Sequence, residues 1–278
     1  MKDNRPDHFD AEFSRLPEVS LLANEKYKGD PNFMTSLARG LEVLQTFRPD
    51  HPRQTVARIS EITRLHRAVV RRCLYTLAAL GFVYSDDNRH YQLLPRVLTI
   101  GHAYLHSSGL AKQAQIALDY LSQQINHSCS VATLDGDSIL YIARASVSRI
   151  MKIDLGRGSR LPAYATSMGL VLLSELPDAE LEAYLNRVQL SAFTPQTITD
   201  KALLREELVK IKSQGYAIND QQLETGLRSM AVPMYSSRGK VVAAMNVGTH
   251  VSQTSSAELK EVFLPKLQRA AMELSLLL

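Results

Sequence analysis

The chain has 278 residues, of which 45% are hydrophobic and 22% are charged. This length and composition can bury sizeable cores and predict two domains rather than one. The two cysteines, Cys73 and Cys129, fit no metal-ligand spacing, so we expect reduced thiols, no metal and no cofactor. The N-terminus has no signal-peptide pattern, and no apolar stretch approaches the roughly 18 to 20 residues that span a bilayer. A cytoplasmic protein without membrane contact is expected.

Positive charge is concentrated in one segment of the chain. Residues 33–108 contain ten arginines, no lysine and five acidic residues, although the net charge of the whole chain is only +4. A basic segment of this kind is the electrostatic footprint expected of phosphate binding by a nucleic-acid-binding domain.

The first predicted elements are an arm and a supporting helix. Residues 1–32 are polar and mildly acidic and are interrupted by proline and glycine, which predicts a flexible arm. From Phe33 onward the spacing predicts a helix that packs behind the next motif. Its expected apolar face consists of Leu37, Leu41, Leu44 and Phe47.

Residues 55–83 form a pattern of two helices joined by a short turn, which is typical of a helix-turn-helix. The apolar positions at helical spacing are Ala57, Ile59 and Ile62, then Val70, Leu74, Leu77 and Ala78. Arginine and tyrosine occupy the opposite face of the second helix, near its N-terminal end, where a recognition helix meets DNA. The alternative is an ordinary helical hairpin with surface arginines.

If this motif binds DNA, its exposed polar residues are the expected contacts to bases and phosphates. Arginine suits the function because its planar fork can hold guanine or a phosphate in two places. The predicted DNA-binding residues are Thr55, Arg64, His66, Arg67, Ala68, Arg71, Arg72 and Tyr75.

A wing is predicted after the second helix. Gly81 can end that helix in the left-handed conformation, and residues 82–84 then start a strand. The turn-forming residues 85–88 and a second strand at 90–93 complete a hairpin. We therefore expect a winged helix-turn-helix domain over residues 33–96.

The next stretch, residues 96–126, is mostly helical in pattern and is interrupted near residues 107–109. We assign residues 97–111 to a linker helix that helps subunits pair, and residues 112–278 to a second domain. The apolar stripe of the second helical part is Ala114, Leu118, Leu121 and Ile125.

The second domain alternates between strand and helix, which predicts an α/β domain. Strand patterns fall at residues 130–134, 139–145, 229–234 and 241–247, and helical patterns at 166–175, 178–187, 200–214 and 257–276. Turn sequences at residues 135–138 and 236–239 favour antiparallel hairpins. The length of this domain suits a ligand sensor.

Several polar residues of this domain are candidates for ligand contact. Arg144 shares an apparent strand face with Leu140 and Ile142, so its charge needs a partner. That partner is a ligand carboxylate, a structural salt bridge, or water at the sheet edge. Asn246 alternates with apolar residues and either contacts ligand or bonds to backbone. Tyr164 and Ser167 either contact a hydroxyl group on the ring of a ligand or only pack against neighbouring residues.

Two other classes of function compete with a sensor. An enzyme could use Ser229, His127 and Cys129 for acyl transfer or hydrolysis. The chain has no nucleophile elbow, phosphate-binding loop or dinucleotide fingerprint, so we expect no enzyme. The second domain could instead serve only for oligomerisation.

Three further motifs follow the helix-turn-helix in the same order as in a known family. They are residues 158–166 (GSRLPAYAT), residues 215–216 (GY) and residues 226–233 (GLRSMAVP). With these motifs the chain resembles the IclR family of bacterial transcriptional regulators over residues 33–278. Within that family it is similar to the Pca and Pob regulators of aromatic-acid catabolism.

The resemblance implies an α+β fold with an N-terminal winged helix-turn-helix domain, a linker helix and a C-terminal GAF-like α/β effector-binding domain. It implies a homodimer or tetramer that binds a double-stranded DNA operator. It also implies an aromatic-acid effector, with protocatechuate as first choice and 4-hydroxybenzoate as second. Activation, with RNA polymerase as a partner, is expected.

The family's pocket positions fall on Asn219, Leu227, Ser229 and Asn246, with residues 161–168 as another wall. Other members have an acidic residue and a cysteine where this chain has Asn219 and Ser229, which implies a different ligand from small keto acids. In the turn, Arg64 replaces a common glycine, and a left-handed backbone there would cost ~1 kcal/mol. The predicted effector-binding residues are Arg144, Tyr164, Ser167, Asn219, Leu227, Ser229 and Asn246.

Overall fold

The structure is a computed structural model that describes residues 27, 29–49, 51–147 and 155–276. Most of the predicted arm, residues 1–26 and 28, lies outside these residues. The described chain divides into an N-terminal unit that ends at Tyr104 and a C-terminal unit that begins at Leu105. None of the described helices has the length and apolar character needed to cross a membrane.

The N-terminal unit is the predicted winged helix-turn-helix. Its elements are α1 (Thr35–Gln45), β1 (Arg53–Thr55), α2 (Val56–Thr63), α3 (Arg67–Ala79), β2 (Val83–Tyr84) and β3 (His90–Leu93). The three strands form an antiparallel sheet in the order β1-β3-β2, and the strand β1 was not predicted. Gly81 has a positive φ of 75°, as expected after the end of α3.

The wing turn is held by one carboxylate. Asp87 accepts hydrogen bonds from the backbone N–H groups of His90 and Arg89, and its other oxygen lies 2.7 Å from Nδ1 of His90. These bonds, that from the His90 backbone above all, hold the pKa of Asp87 well below its usual range. The predicted hairpin is thus fixed by its own turn residues.

The predicted core face of the first helix is confirmed at Leu44 and Phe47, which pack in the core, and is wrong at Leu37 and Leu41. Leu37 and Leu41 are 57% and 42% exposed, whereas Ala38, Glu42 and Val43 are buried. Two adjacent stripes of this helix both contain apolar residues at helical spacing, so the periodicity alone did not identify the one that faces α3. Ala78, which was assigned to the buried face of α3, is also exposed.

The predicted break near residues 107–109 separates α4 (Leu98–Ser107) from α5 (Gly109–Ile125). The Ser108 hydroxyl accepts a hydrogen bond from the N–H of Ala111, 3.3 Å away, and so caps the start of α5. The predicted stripe of α5 is buried: it comprises Ala114, Leu118, Leu121 and Ile125.

The C-terminal unit is built on a six-stranded antiparallel sheet in the order β6-β5-β4-β9-β8-β7. The strands are β4 (Ser128–Asp135), β5 (Ser138–Ala145), β6 (Arg160–Pro162), β7 (Ala217–Asp220), β8 (Leu227–Tyr235) and β9 (Val241–His250). The helices that follow α5 are α6 (Ser167–Ser174), α7 (Asp178–Arg187), α8 (Lys201–Gln214), α9 (Ser256–Glu258) and α10 (Leu264–Ser275). The short edge strands β6 and β7 were not predicted.

Two cores cover the faces of this sheet. On one side α6, whose residues are all buried, packs with α7 and α8 against residues such as Ala132. On the other side α5 and α10 pack against residues such as Val131. Successive residues of β4 therefore enter different cores, as the alternation of a strand requires.

A β-bulge interrupts the alternation in β5. Ala132 pairs with Tyr141 and Val131 pairs with Ala143, which leaves Ile142 without a partner on β4. Ile142 and Ala143 consequently both belong to the core under α5 and α10, while Tyr141 belongs to the opposite core. The prediction that Arg144 shares a face with Leu140 and Ile142 is therefore wrong, because the extra residue moves Arg144 to the side of Tyr141.

Gly169 allows α6 to lie close to the preceding turn. A Cβ atom at this position would lie 2.1 Å from the backbone oxygen of Ala163. Only glycine fits such an approach without displacing the backbone.

We predict that Gly169→Ala lowers the free energy of unfolding by at least ~1–3 kcal/mol, the usual effect of overpacking a core. The measurement is the urea unfolding midpoint of the full chain. The matched control is Gly109→Ala, at the first residue of α5, where a Cβ would meet nothing within 4 Å. Equal midpoints for the two variants would contradict the packing account.

Candidate DNA-binding surface and ligand cavity

The outer face of α3 is basic and open to solvent. Arg67, Ala68, Arg71 and Arg72 are exposed, and Tyr75 is 77% exposed. Within the described chain, no carboxylate lies within 4.0 Å of any of these three arginines. The buried residues Val70 and Leu74 hold the opposite face of α3 in the core, so the arginines share one surface.

The turn before α3 is held by short polar bonds. The Ser60 hydroxyl donates to the backbone oxygen of Leu65 at 2.6 Å, and the N–H of Leu65 donates to the Thr63 hydroxyl at 3.3 Å. Arg64 lies between them in the left-handed conformation, with φ 57° and ψ 13°. The condition for backbone strain at Arg64 is thus met, and its exposed side chain projects from a strained position.

The other two positions of the predicted contact set begin helices. Thr55 is the N-cap of α2, where its hydroxyl accepts a hydrogen bond from the N–H of Arg58 at 3.2 Å. His66 is the N-cap residue of α3, is exposed and makes no side-chain capping bond. Thr55 therefore has a structural function in addition to any contact with DNA.

The C-terminal unit contains a cavity between the sheet and the N-terminal end of α6, with an empty volume of about 490 Å³ including its open mouth. Six predicted effector contacts line it: Arg144, Ser167, Asn219, Leu227, Ser229 and Asn246. The other lining residues are Ser128, Tyr141, Leu161, Ala165, Thr166, Leu223 and Gly248.

Strand pairing arranges the floor of the cavity in two rows. In the first row Ser130 on β4 lies between Arg144 on β5 and Asn246 on β9. The second row runs from Ser128 on β4 to β7. Its remaining members are Gly248, Ser229 and Asn219. Residues far apart in sequence thus meet because they are neighbours across the sheet.

Arg144 brings a positive charge to this floor. Its Nη1 donates a hydrogen bond to the Ser130 hydroxyl at 3.1 Å, and none of the described carboxylates pairs with it. The lining contains no aspartate or glutamate. The first turn of α6 adds the positive end of a helix dipole, since Thr166 and Ser167 also line the cavity. The cavity is therefore suited to an anion.

Two polar pairs hold the cavity walls together. Asn219 donates from Nδ2 to the backbone oxygen of Ala165 at 3.0 Å and accepts at Oδ1 from the N–H of Gln222 at 3.3 Å. The Ser229 hydroxyl donates to the Ser167 hydroxyl at 2.9 Å. These bonds connect the sheet to the start of α6 and fix the shape of the cavity.

Asn246 is different, because its Oδ1 is buried and has no hydrogen-bond partner within the described residues. A buried acceptor without a donor is unfavourable by ~1–3 kcal/mol. Since Asn246 lines the cavity, a ligand hydroxyl can supply the missing donor.

The structure does not bring Tyr164 to the cavity. Its hydroxyl donates to the backbone oxygen of Ser191 at 3.0 Å and accepts from the N–H of the same residue at 2.9 Å. Tyr164 thus fixes the loop after α7, and it is absent from the cavity lining.

Sequence reasoning missed Ser128, Tyr141, Leu223 and Gly248. Ser128 and Gly248 have small side chains that carry no signal in a single sequence. Tyr141 was missed because strand alternation, applied without the bulge, placed it on the face opposite Arg144. The one signal in the sequence that could have identified Tyr141 was the charged residue Arg144 on the same strand.

The residues of the enzyme hypothesis do not form a catalytic arrangement. Burial raises the pKa of the Cys129 thiol to about 12, so it is not a thiolate at neutral pH. Its sulfur lies 3.7 Å from the backbone oxygen of His127, and Ser229 bonds to Ser167 rather than to a histidine.

A winged helix-turn-helix joined to a unit with an anion-suited cavity defines a ligand-responsive DNA-binding regulator. Comparison with protein families identifies the group. Residues 36–87 match the IclR helix-turn-helix domain, and residues 102–276 match the C-terminal domain of the bacterial transcriptional regulator IclR. The chain belongs to the IclR family of transcriptional regulators. These families and relatives are regulators and not enzymes.

Relatives agree with this assignment. The chain is 50% identical over 251 residues to the Pca regulon regulatory protein of Pseudomonas putida, covering 90% of this chain and 86% of the relative. It is 33% identical to the p-hydroxybenzoate hydroxylase transcriptional activator of Acinetobacter baylyi, covering 87% and 91%. The C-terminal unit is similar to a solved structure of a double mutant of the PobR inducer-binding domain from Acinetobacter with 3-hydroxybenzoic acid. That match has a TM-score of 0.58 and 31% identity and covers 60% of this chain and 98% of that one.

Proposed function

We propose that the protein activates genes of aromatic-acid catabolism in response to a hydroxylated benzoate. Protocatechuate is our first candidate effector and 4-hydroxybenzoate the second. The observation that carries the proposal is a guanidinium, that of Arg144, in a cavity without acidic lining residues and without a carboxylate partner in the described chain. A bound carboxylate would satisfy that charge.

Six of the seven predicted contacts have a proposed function in the complex. Arg144 holds the carboxylate, and the Asn246 oxygen accepts a hydrogen bond from a ring hydroxyl. Leu227 packs against the ring, while the Ser167, Ser229 and Asn219 bonds keep the walls in place. The structure gives no such contact for Tyr164, so we do not include it.

The N-terminal unit is proposed to bind a palindromic or repeated double-stranded DNA operator. Arg71 and Arg72, exposed on α3, are our candidates for reading bases, while Arg64, His66 and Arg67 meet phosphates. Thr55, Ala68 and Tyr75 complete the proposed contact surface. A homodimer or tetramer would present two such surfaces to the repeats.

We propose residues 33–96 as the DNA-binding domain, residues 97–111 as the linker and residues 112–278 as the effector-binding domain. Effector binding switches transcription only if the effector has different affinities for two arrangements of the paired DNA-binding domains. Activation would require that one arrangement recruits RNA polymerase at the promoter.

The names of the relatives support an aromatic acid and favour activation. The p-hydroxybenzoate hydroxylase regulator is called an activator, and the PobR inducer-binding domain carries a hydroxybenzoic acid in its double mutant. The name of the p-hydroxybenzoate hydroxylase activator also supports 4-hydroxybenzoate as the second candidate effector. A repressor that senses another small carboxylic acid is the remaining alternative.

We predict that the purified full chain binds protocatechuate or 4-hydroxybenzoate in calorimetric titration, and benzoate more weakly. Arg144→Ala should weaken binding of the acid by ~2–5 kcal/mol, because truncation leaves the carboxylate buried without its cation. The measurement is the dissociation constant of each acid for both proteins.

The matched control is Arg160→Ala, which removes an arginine of β6 that pairs with Asp135 and does not line the cavity. This control should bind the acid as the unsubstituted protein does. Unchanged affinity in Arg144→Ala would contradict its function as anchor. Absence of binding by all three acids would overturn the proposed effector class.

A second prediction concerns the operator. Arg71→Ala and Arg72→Ala should each weaken operator binding by ~1–3 kcal/mol and relax specificity at one base pair, if each arginine reads a base. Affinities for the operator and for single-base variants are measured at several salt concentrations. An equal loss of affinity for all DNA sequences would identify a phosphate contact instead. An unchanged affinity would exclude both a base contact and a phosphate contact.

The control for the loss of one positive charge is Arg187→Ala, which removes an exposed arginine of α7 that is paired with Asp137. Its operator affinity and salt dependence should equal those of the unsubstituted protein. A comparable loss in this variant would mean that overall charge, and not the α3 surface, governs binding.

A further inference from the structure

Tyr141 lines the cavity and has a hydroxyl that can form hydrogen bonds. The side chain is only 4% exposed, and its hydroxyl has no hydrogen-bond partner within the described chain. Buried tyrosine hydroxyls nearly always find a partner. The Tyr141 residue lines the cavity, so a group that the cavity receives can supply the partner of its hydroxyl.

The bulge in β5 places Tyr141 and Arg144 on the wall of one cavity. In a regular strand, residues three apart face opposite sides of the sheet. Because Ile142 has no partner on β4, Tyr141 and Arg144 instead line the same cavity. Bulges are common beside binding sites, where they re-aim side chains.

The two side chains also interact electrostatically. Burial raises the pKa of Tyr141 to about 12, and the Arg144 charge is the opposing influence. The phenol therefore keeps its proton at neutral pH and can donate a hydrogen bond. Arg144 has five N–H donors, and Ser130 takes one of them, so others remain for a ligand.

A neighbouring phenol and guanidinium match the two oxygens of a carboxylate. Both groups are donors, and hydrogen bonds to a carboxylate are about twice as strong as those between neutral groups. A ring hydroxyl would be the weaker partner for Tyr141, because it carries no charge. For a ring hydroxyl, Asn246 offers an acceptor that still lacks a donor.

We propose that Tyr141 is a second carboxylate-binding residue of the effector cavity. Its hydroxyl and the Arg144 guanidinium bind the two oxygens of one carboxylate, in a clamp that the bulge at Ile142 creates. This inference rests on the proposed function. It separates recognition of the acid, by β5, from recognition of the ring hydroxyl, by Asn246 on β9.

The experiment compares calorimetric titrations of the full chain and of Tyr141→Phe with protocatechuate, benzoate and methyl protocatechuate. Protocatechuate and benzoate share the carboxylate and differ in the ring hydroxyls, whereas the ester keeps the hydroxyls and loses the charge. Tyr141→Phe should weaken both acids by the same factor, about tenfold to hundredfold, the value of one charge-assisted hydrogen bond. The ester keeps a carbonyl acceptor but has no charge, so Tyr141→Phe should weaken it by a clearly smaller factor than the two acids.

The matched control is Tyr184→Phe, which removes a hydroxyl from another fully buried tyrosine of the same unit that does not line the cavity. It should leave the affinities of all three compounds unchanged. Because phenylalanine preserves the shape of tyrosine, the thermal midpoint of Tyr141→Phe should match that of the unsubstituted protein, which separates lost binding from lost folding.

Three results would overturn the inference while leaving the proposed function intact. They are an unchanged affinity for both acids, a loss for protocatechuate but not for benzoate, and an equal loss for the ester. A loss for protocatechuate alone would mean that Tyr141 binds a ring hydroxyl. An equal loss for the ester would mean that the Tyr141 hydroxyl contributes through packing. Failure of the unsubstituted protein to bind either acid would overturn the proposed function and this inference together.

Discussion

The proposed site of the C-terminal unit depends on one charge that has no carboxylate partner among the described residues. Arg144 lies half-buried at the floor of a cavity with a serine hydroxyl as its hydrogen-bond acceptor and no carboxylate within reach in the described chain. Withdrawing a guanidinium from water without an opposite charge is unfavourable. The bulge at Ile142 brings Tyr141 to the same cavity as Arg144, and Ser130 lies between Arg144 and Asn246 across the sheet. The fold thus carries a locally unfavourable feature that a bound acid would relieve.

Both proposed functional surfaces share this property. In the N-terminal unit Arg64 occupies the left-handed region, which disfavours any side chain, and it projects from the helix-turn-helix turn. In the C-terminal unit the Arg144 charge, the Asn246 oxygen and the Tyr141 hydroxyl are unpaired among the described residues. Sites where a sequence departs from the local rules of stability are commonly functional sites. The proposed assignments follow that reasoning, because each departure has a physical remedy in a phosphate, a carboxylate or a ring hydroxyl.

The sequence predicted the positions of the helices and strands better than it predicted which side of each one faces the core or the cavity. Helical periodicity located α2, α3 and α5, because Ile59, Leu74 and Leu118 repeat with apolar neighbours on one side. Asn246 was assigned to the correct side of β9, where the strand is regular. Arg144 was recognised as a charge that needs a partner but was placed on the wrong face, since an unpaired residue reverses the alternation and leaves no mark in the sequence. The short strands β1, β6 and β7 depend on their partners across the sheets, which local patterns do not contain.

The most direct test of the central claim is the free energy of unfolding of Arg144→Met without ligand, measured by urea denaturation. Methionine keeps much of the length and the apolar stem of arginine but removes the charge. If Arg144 is an uncompensated charge retained for a ligand, the variant should be as stable as the unsubstituted protein or more stable, since apolar replacements of poorly compensated buried charges are often neutral or stabilising. A loss of ~3 kcal/mol or more, typical of breaking a buried ion pair, would contradict this account and make Arg144 a structural residue.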